Sequence, residues 1–247
     1  MPSIHIYPNA RAVARAAAHH IVESQLPGQP FRLALSGGST PRLLYQLLVQ
    51  PPYVNAIDWP QIELFWGDER PVPPEHPDSN YRMAYEALIQ HVPILPAHIH
   101  RIQAELPPEQ AADAYDQHLH KNFPNTLAFD VLLLGMGADG HTASLFPHTA
   151  ALHENSRWCV ANHIPTLKTS RITLTYPAIN AAKKILVLVT GAAKASMLSR
   201  VLYGAYEPEE LPIQAVKPNH GELLWLIDEV AASALPPNKK HRHHGGV

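Results

Sequence analysis

Residues 129–147 read FDVLLLGMGADGHTASLFP. The first six, FDVLLL, are almost wholly apolar and end at Leu134. A run that short and continuous reads as a strand buried on both faces of a sheet. It stops at two glycines, and Asp139, Gly140, His141, Thr142 and Ser144 come next. The chain therefore leaves a core strand and at once presents a carboxylate, an imidazole and two hydroxyls on a loop.

The same pattern extends outward in both directions. FRLAL (31–35), IELFW (62–66), RWCVA (157–161), RITLT (171–175), ILVLVT (185–190) and LLWLI (223–227) read as further strands. The alanine-rich stretch 10–25 predicts a helix with Asn9 as its N-cap. Thr40 is expected to cap a second helix with Pro41 in its first turn, and Leu43, Leu44, Leu47 and Leu48 make its apolar face. Ser79 or Asn80 caps a helix through 81–90, and 109–122, 192–203 and 228–235 complete the helical set. Apolar strands separated by helices imply an α/β fold, a mostly parallel sheet covered on both faces. No repeat or linker divides the chain, so residues 1–236 are expected to form one domain.

Composition narrows the function classes. The 247 residues are 46% hydrophobic and 16% charged, and 21 acids against 19 bases give a net charge of −2. No global basic field is available to hold nucleic acid. The single cysteine, Cys159, cannot form an internal disulfide, which suits a reducing compartment. The N-terminus lacks a signal-peptide pattern, and no apolar stretch approaches the ~20 residues that span a bilayer. A soluble cytoplasmic protein with no membrane partner is expected. The 25 prolines mark loops and helix entries. Among the 17 histidines, His98 with His100 and His118 with His120 lack the i,i+4 spacing of a helical metal pair, so no metal site is expected. The basic, histidine-rich end 237–247 reads as a disordered, solvated tail.

In a parallel α/β sheet, ligands bind at the carboxyl ends of the strands. The polar motifs fall there. Ser36-Gly37-Gly38-Ser39-Thr40 follows the first apolar run and opens a helix, which suits a phosphate cradle of backbone N–H groups and also a plain tight turn. It is neither a dinucleotide fingerprint nor a P-loop. Asp68, Glu69 and Arg70 follow IELFW, and the proline-rich 71–77 behind them would stiffen the loop. Lys194 lies at the start of a helix, where a cation is unfavourable unless an anion joins it. Arg171 adds a further cation. An anion cradle, several cations and one Asp-Gly-His indicate a phosphorylated small molecule and a single acid/base group. The residues alone leave the reaction open.

Four ordered blocks, LALSGGSTPRLLYQLL, WGDERPVPPEHPDSNYRMAYEAL, FDVLLLGMGADGHTASLFP and RITLTYPAINAAKKILVLVTGAAKASML, resemble the 6-phosphogluconolactonase family across roughly residues 5–235. The wider superfamily includes glucosamine-6-phosphate deaminases and shares a three-layer Rossmann-like fold. The resemblance implies hydrolysis of 6-phospho-D-glucono-1,5-lactone to 6-phosphogluconate, the second step of the oxidative pentose phosphate pathway, with no cofactor. By resemblance His141 is the general base, Asp139 orients it, and Arg70 or nearby N–H groups meet the carbonyl oxygen. Gly37, Gly38, Ser39, Thr40, Arg171 and Lys194 would hold the phosphate, with Asp68 beside the substrate, and the roles of Arg70 and Arg171 are exchangeable. A sugar-phosphate lactone as partner and a monomer or small homo-oligomer are expected. Two rivals follow. Amino-sugar-6-phosphate deaminases keep the aspartate at Asp68 but carry a glutamate five residues after the motif histidine, where this chain has Phe146. A non-catalytic sugar-phosphate sensor would need a DNA-binding module, for which residues 1–30 offer no basic recognition partner.

Overall fold

The computed structural model describes residues 3–124 and 126–236. The tail 237–247 anticipated from the sequence lies outside the described residues. In chain order the elements are β1 (Ser3–Tyr7), α1 (Ala10–Glu23), β2 (Phe31–Leu35), α2 (Ser39–Leu48), α3 (Tyr53–Ala56), β3 (Ile62–Trp66), β4 (Asp68–Glu69), α4 (Asn80–Ala87), β5 (Ile99–His100) and α5 (Pro108–Asn122). They continue with β6 (Val131–Gly135), β7 (Cys159–Ile164), β8 (Thr169–Leu174), α6 (Tyr176–Asn180), β9 (Lys184–Val189), α7 (Ala195–Tyr203) and β10 (Glu222–Asp228).

Seven strands form one parallel sheet in the order β1-β10-β9-β6-β2-β3-β5. Val131 to Leu134 of β6 are fully buried, as a central strand covered on both faces requires. The chain runs outward from β2 through β3 to β5, and from β6 the opposite way through β9 to β10. The direction of winding therefore reverses between β2 and β6. Such a switch point opens a crevice at the strands' carboxyl ends, because the two following connections diverge. The loops that enter it are Ser36–Gly38 and Gly135–His141.

A second, antiparallel sheet of order β4-β8-β7 stands beside the first. Gly67 joins the two: its N–H donates to Leu35 O at 2.9 Å, and its carbonyl accepts from the Leu174 N–H at 2.8 Å. The runs at 157–161 and 171–175 belong to this sheet rather than to the main one, and the first is shifted to Cys159–Ile164.

Of the other expectations, the caps of α1 and α4 hold and several need correction. Asn9 caps α1 through its Oδ1, which accepts from Ala12 N–H at 3.0 Å, and Ser79, not Asn80, caps α4. Thr40 does not cap α2. Gly38 holds the N-cap position at φ +106°, a conformation open to glycine, and Thr40 Oγ1 instead bonds Thr190 Oγ1 at 2.7 Å. Of the four leucines expected on the apolar face, Leu44 and Leu48 are buried while Leu43 and Leu47 are partly so, and Tyr45 joins the core. The stretch 228–235 makes only a 3-10 turn at Ala231–Ala234, because Asp228 ends β10 and its Oδ1 ties down Ala231 N–H at 2.8 Å. Residues 192–194 form a 3-10 turn before α7. Trp66 is core, 1% exposed. Among the described residues no helix is long and apolar enough to cross a membrane.

Candidate active site

Two adjoining compartments occupy the crevice. The inner one, about 260 Å³, is lined by Ser36, Gly37, Gly38, Asn80, Gly137 and Lys194 among others. The outer one, about 560 Å³, is lined by Asp139, Ser144, Phe146, Leu167 and Arg171. Asp68, Arg70, Ala138, His141 and Ala143 line both. The structure thus brings together His141, Asp139, Arg70, Asp68, Gly37, Gly38, Lys194 and Arg171, but Arg171 faces a different compartment from the glycines and Lys194. Ser39 and Thr40 line neither; Ser39 is exposed in the first turn of α2 and Thr40 bonds Thr190.

The loop after β6 folds on itself to aim His141. Gly137 N–H donates to His141 O at 2.8 Å, and Thr142 Oγ1 donates to Gly135 O at 2.8 Å. His141 Nδ1 lies 2.6 Å from Asp139 Oδ1, which also accepts the His141 N–H at 3.2 Å. Burial disfavours the charged Asp139, but the hydrogen bond and charge of His141 outweigh it and hold the carboxyl below the ordinary range. A Cβ on residue 137 would collide with the His141 ring and the Asp139 carboxylate, so only glycine lets the backbone run this close to the pair. With Nδ1 committed to Asp139, Nε2 is the nitrogen left for chemistry.

The small sheet supplies the next groups. Its register sets Asp68 opposite Thr173 and Arg171 opposite Asn162. Asp68 Oδ2 accepts from Ser144 Oγ at 2.7 Å, and Asn80 Nδ2 donates to the Asp68 carbonyl at 2.9 Å. Glu69, only 2% exposed, accepts from the N–H groups of Arg70, Asn80 and Tyr81, each at 2.8 Å, and from Ser79 Oγ at 3.1 Å. A carboxylate at the first turn of α4 suits the helix dipole, and it locks the 70–79 loop to β4. Burial nonetheless pushes the Glu69 carboxyl upward, with the backbone N–H groups pulling the other way.

Among the described residues the crevice cations make no ion pair. Arg70 Nη1 donates to the Asp78 carbonyl at 2.6 Å, and Arg171 Nη1 to the Ser170 carbonyl at 3.0 Å. Among the described residues, neither guanidinium nor Lys194 has a carboxylate within ion-pair distance. Burial, and then the charge of Arg70, lower the Arg171 pKa. Three cations not tied up in ion pairs, in a crevice that also holds Asp68 and Asp139, can receive an anion. Among the described residues no three His, Cys, Asp or Glu side chains converge to hold a metal ion.

Three functional features escaped the sequence reading. Phe146 stacks on His141, ring centroids 4.1 Å apart and planes 22° apart. Leu167, at the β7–β8 turn, lines the outer compartment. Two buried tyrosines hold strand ends: the Tyr45 hydroxyl bonds both N–H (3.0 Å) and C=O (2.8 Å) of Ser36, and the Tyr115 hydroxyl bonds both N–H (2.9 Å) and C=O (3.2 Å) of Trp66. The i,i+5 spacing of His141 and Phe146 was visible, but the turn that folds one onto the other was not.

Comparison with known proteins shows the family. Residues 8–225 match the model of the family described as glucosamine-6-phosphate isomerases/6-phosphogluconolactonase. The chain is 38% identical over 230 residues to the 6-phosphogluconolactonase of Haemophilus influenzae, covering 93% of this chain and 98% of the relative. It is 42% identical over 210 residues to that of Synechocystis sp., covering 83% and 85%. Among solved structures, 6-phosphogluconolactonase from Trypanosoma brucei superposes with a TM-score of 0.82 at 28% identity, covering 96% of this chain and 99% of that one. By matched length and by identity to these relatives, the chain belongs to the glucosamine-6-phosphate isomerase/6-phosphogluconolactonase family.

Proposed function

We propose that this protein hydrolyses 6-phospho-D-glucono-1,5-lactone to 6-phosphogluconate, with His141 as general base. The observation that carries the proposal is His141 held through Nδ1 by Asp139 in a crevice ringed by Arg70, Arg171 and Lys194, none of which forms an ion pair among the described residues. Nε2 takes a proton from water as the water oxygen bonds to the lactone carbonyl carbon. The tetrahedral intermediate then breaks its bond to the ring oxygen, which receives the proton back from the imidazolium. Asp139 stays ionised and stabilises that imidazolium. Arg70, which lines both compartments beside His141, meets the developing oxyanion. Gly37 and Gly38 with Lys194 receive the phosphate in the inner compartment, and Arg171 faces it from the outer one. Binding the phosphate places the carbonyl at His141. Phe146 weighs against amino-sugar deamination, because it puts an apolar ring where a proton-carrying side chain would stand.

The test follows proton release from freshly generated lactone against its spontaneous hydrolysis. Acceleration that needs the 6-phosphate is expected. His141→Ala should cut kcat by roughly 10²–10⁴-fold with KM little changed. Lys194→Ala should mainly raise KM. Wild-type kcat in His141→Ala would refute the base assignment, and no acceleration by the intact protein would refute the activity.

A further inference from the structure

His141 is held by more than its carboxylate. One hydrogen bond at Nδ1 fixes a point on the imidazole but leaves the ring free to swing about it. Phe146 removes that freedom by lying against the ring face, centroids 4.1 Å apart. Phe146 is itself fixed from behind. Its carbonyl accepts from Thr149 Oγ1 at 2.7 Å, and Asn162 Nδ2, buried in the small sheet, donates to Thr149 Oγ1 at 2.9 Å and to Ser144 O at 2.9 Å. The same Asn162 thus anchors the loop within the tight turn closed by Leu145 N–H to Thr142 O at 2.9 Å and again just after it.

We propose that Phe146 is a positioning residue for His141, fixing the plane of the imidazole and favouring the imidazolium that forms during turnover. The proposal rests on the reading of His141 as the base. An aromatic face attracts a cation more than a neutral ring, because its quadrupole is negative at the face. His141 is neutral before water attack and cationic afterwards, so the contact strengthens as the transition state is approached. An interaction of that kind raises kcat rather than lowering KM. The charged groups that share the crevice with His141 are Asp139 on its own loop, Asp68 and Arg70 from β4 and the turn after it, Arg171 from β8 and Lys194 from before α7. All of them remain when Phe146 alone is changed.

The experiment compares Phe146→Leu and Phe146→Tyr with the wild type in lactone hydrolysis across pH, and follows the His141 ring by NMR titration without substrate. Phe146→Leu is expected to lose about three- to thirtyfold in kcat, the range of a cation over a π face, with KM within about twofold. The acid limb of its pH–rate profile and the His141 titration should both move to lower pH. Phe146→Tyr keeps the ring and should restore kcat to within about twofold of wild type. Unchanged kcat and titration in Phe146→Leu would overturn the proposal, as would equal losses in the two variants or a change in KM alone. A wild type inactive on the lactone would overturn the base reading instead, and the NMR titration of wild type against Phe146→Leu would still decide whether Phe146 favours the imidazolium.

Discussion

Tyr45 shows what a single hydroxyl does for this crevice. It is fully buried in α2, and burial drives its own ionisation far upward, so it acts as a neutral hydrogen-bonding group. It satisfies both backbone groups of Ser36 where β2 gives way to the glycine turn. Tyr45→Phe leaves a buried N–H and C=O unpaired, at a cost of roughly 1–3 kcal/mol each before relaxation. A lower denaturation midpoint is expected, together with a raised KM, because the Gly37–Gly38 turn loses its anchor. A midpoint shift with unchanged KM would show that the turn is held by other means. At this scale the candidate site was largely legible: Asp139, His141, Arg70, Gly37, Gly38 and Lys194 follow strands and are chemically conspicuous. Tyr45 and Phe146 were not, since their roles depend on which backbone or ring they meet, and a short motif carries no such information.

The small sheet is the element that converts separate loops into one site. It contributes Asp68 and Glu69 from β4, Arg171 and Thr173 from β8, and Asn162 from β7. β4 is two residues long, too short for any periodicity, and the sequence offered only a charged triplet after a strand. β5 is equally short, and β1 precedes the first helix as a half-buried edge, so these too were missed while the long apolar runs were found. Asn162, 1% exposed, joins Asp68 and Thr173 in linking the sheet to the His141 loop. Asn162→Leu removes both of its donated hydrogen bonds; Ser144 O loses its partner, while Thr149 Oγ1 keeps its bond to the Phe146 carbonyl. A loss of roughly 1–3 kcal/mol is expected for the one unmet buried group. The loosened loop should lower kcat as well. Calorimetry and turnover on the same sample check this, and full kcat in a destabilised variant would confine Asn162 to a folding role.

At the scale of the whole molecule, acid should weaken the fold well before the carboxylates titrate, and the cause lies away from the crevice. His100 ends β5 at the sheet edge, stacked on Phe65 with centroids 4.4 Å apart, its Nδ1 2.8 Å from His118 Nε2. Burial, and then the neighbouring His118, lower its pKa to about 4, despite Glu63 at 4.0 Å. His118 and His20 are also lowered, chiefly by burial. An unfolded histidine titrates near ~6.5. Below that pH the unfolded chain binds protons that the folded one refuses, so stability is full above about 6.5 and falls as pH drops toward 4. Glu69, raised by burial, works in the opposite sense and favours the folded state as pH falls. His100→Phe keeps a ring against Phe65, and Asn122 Nδ2, 3.1 Å from His118 Nε2, still supplies that nitrogen with a partner. Denaturant midpoints measured from pH 7.5 to 4.5 should therefore fall more steeply for the wild type than for His100→Phe. Parallel curves would place the acid sensitivity elsewhere, with His20 the next residue to replace.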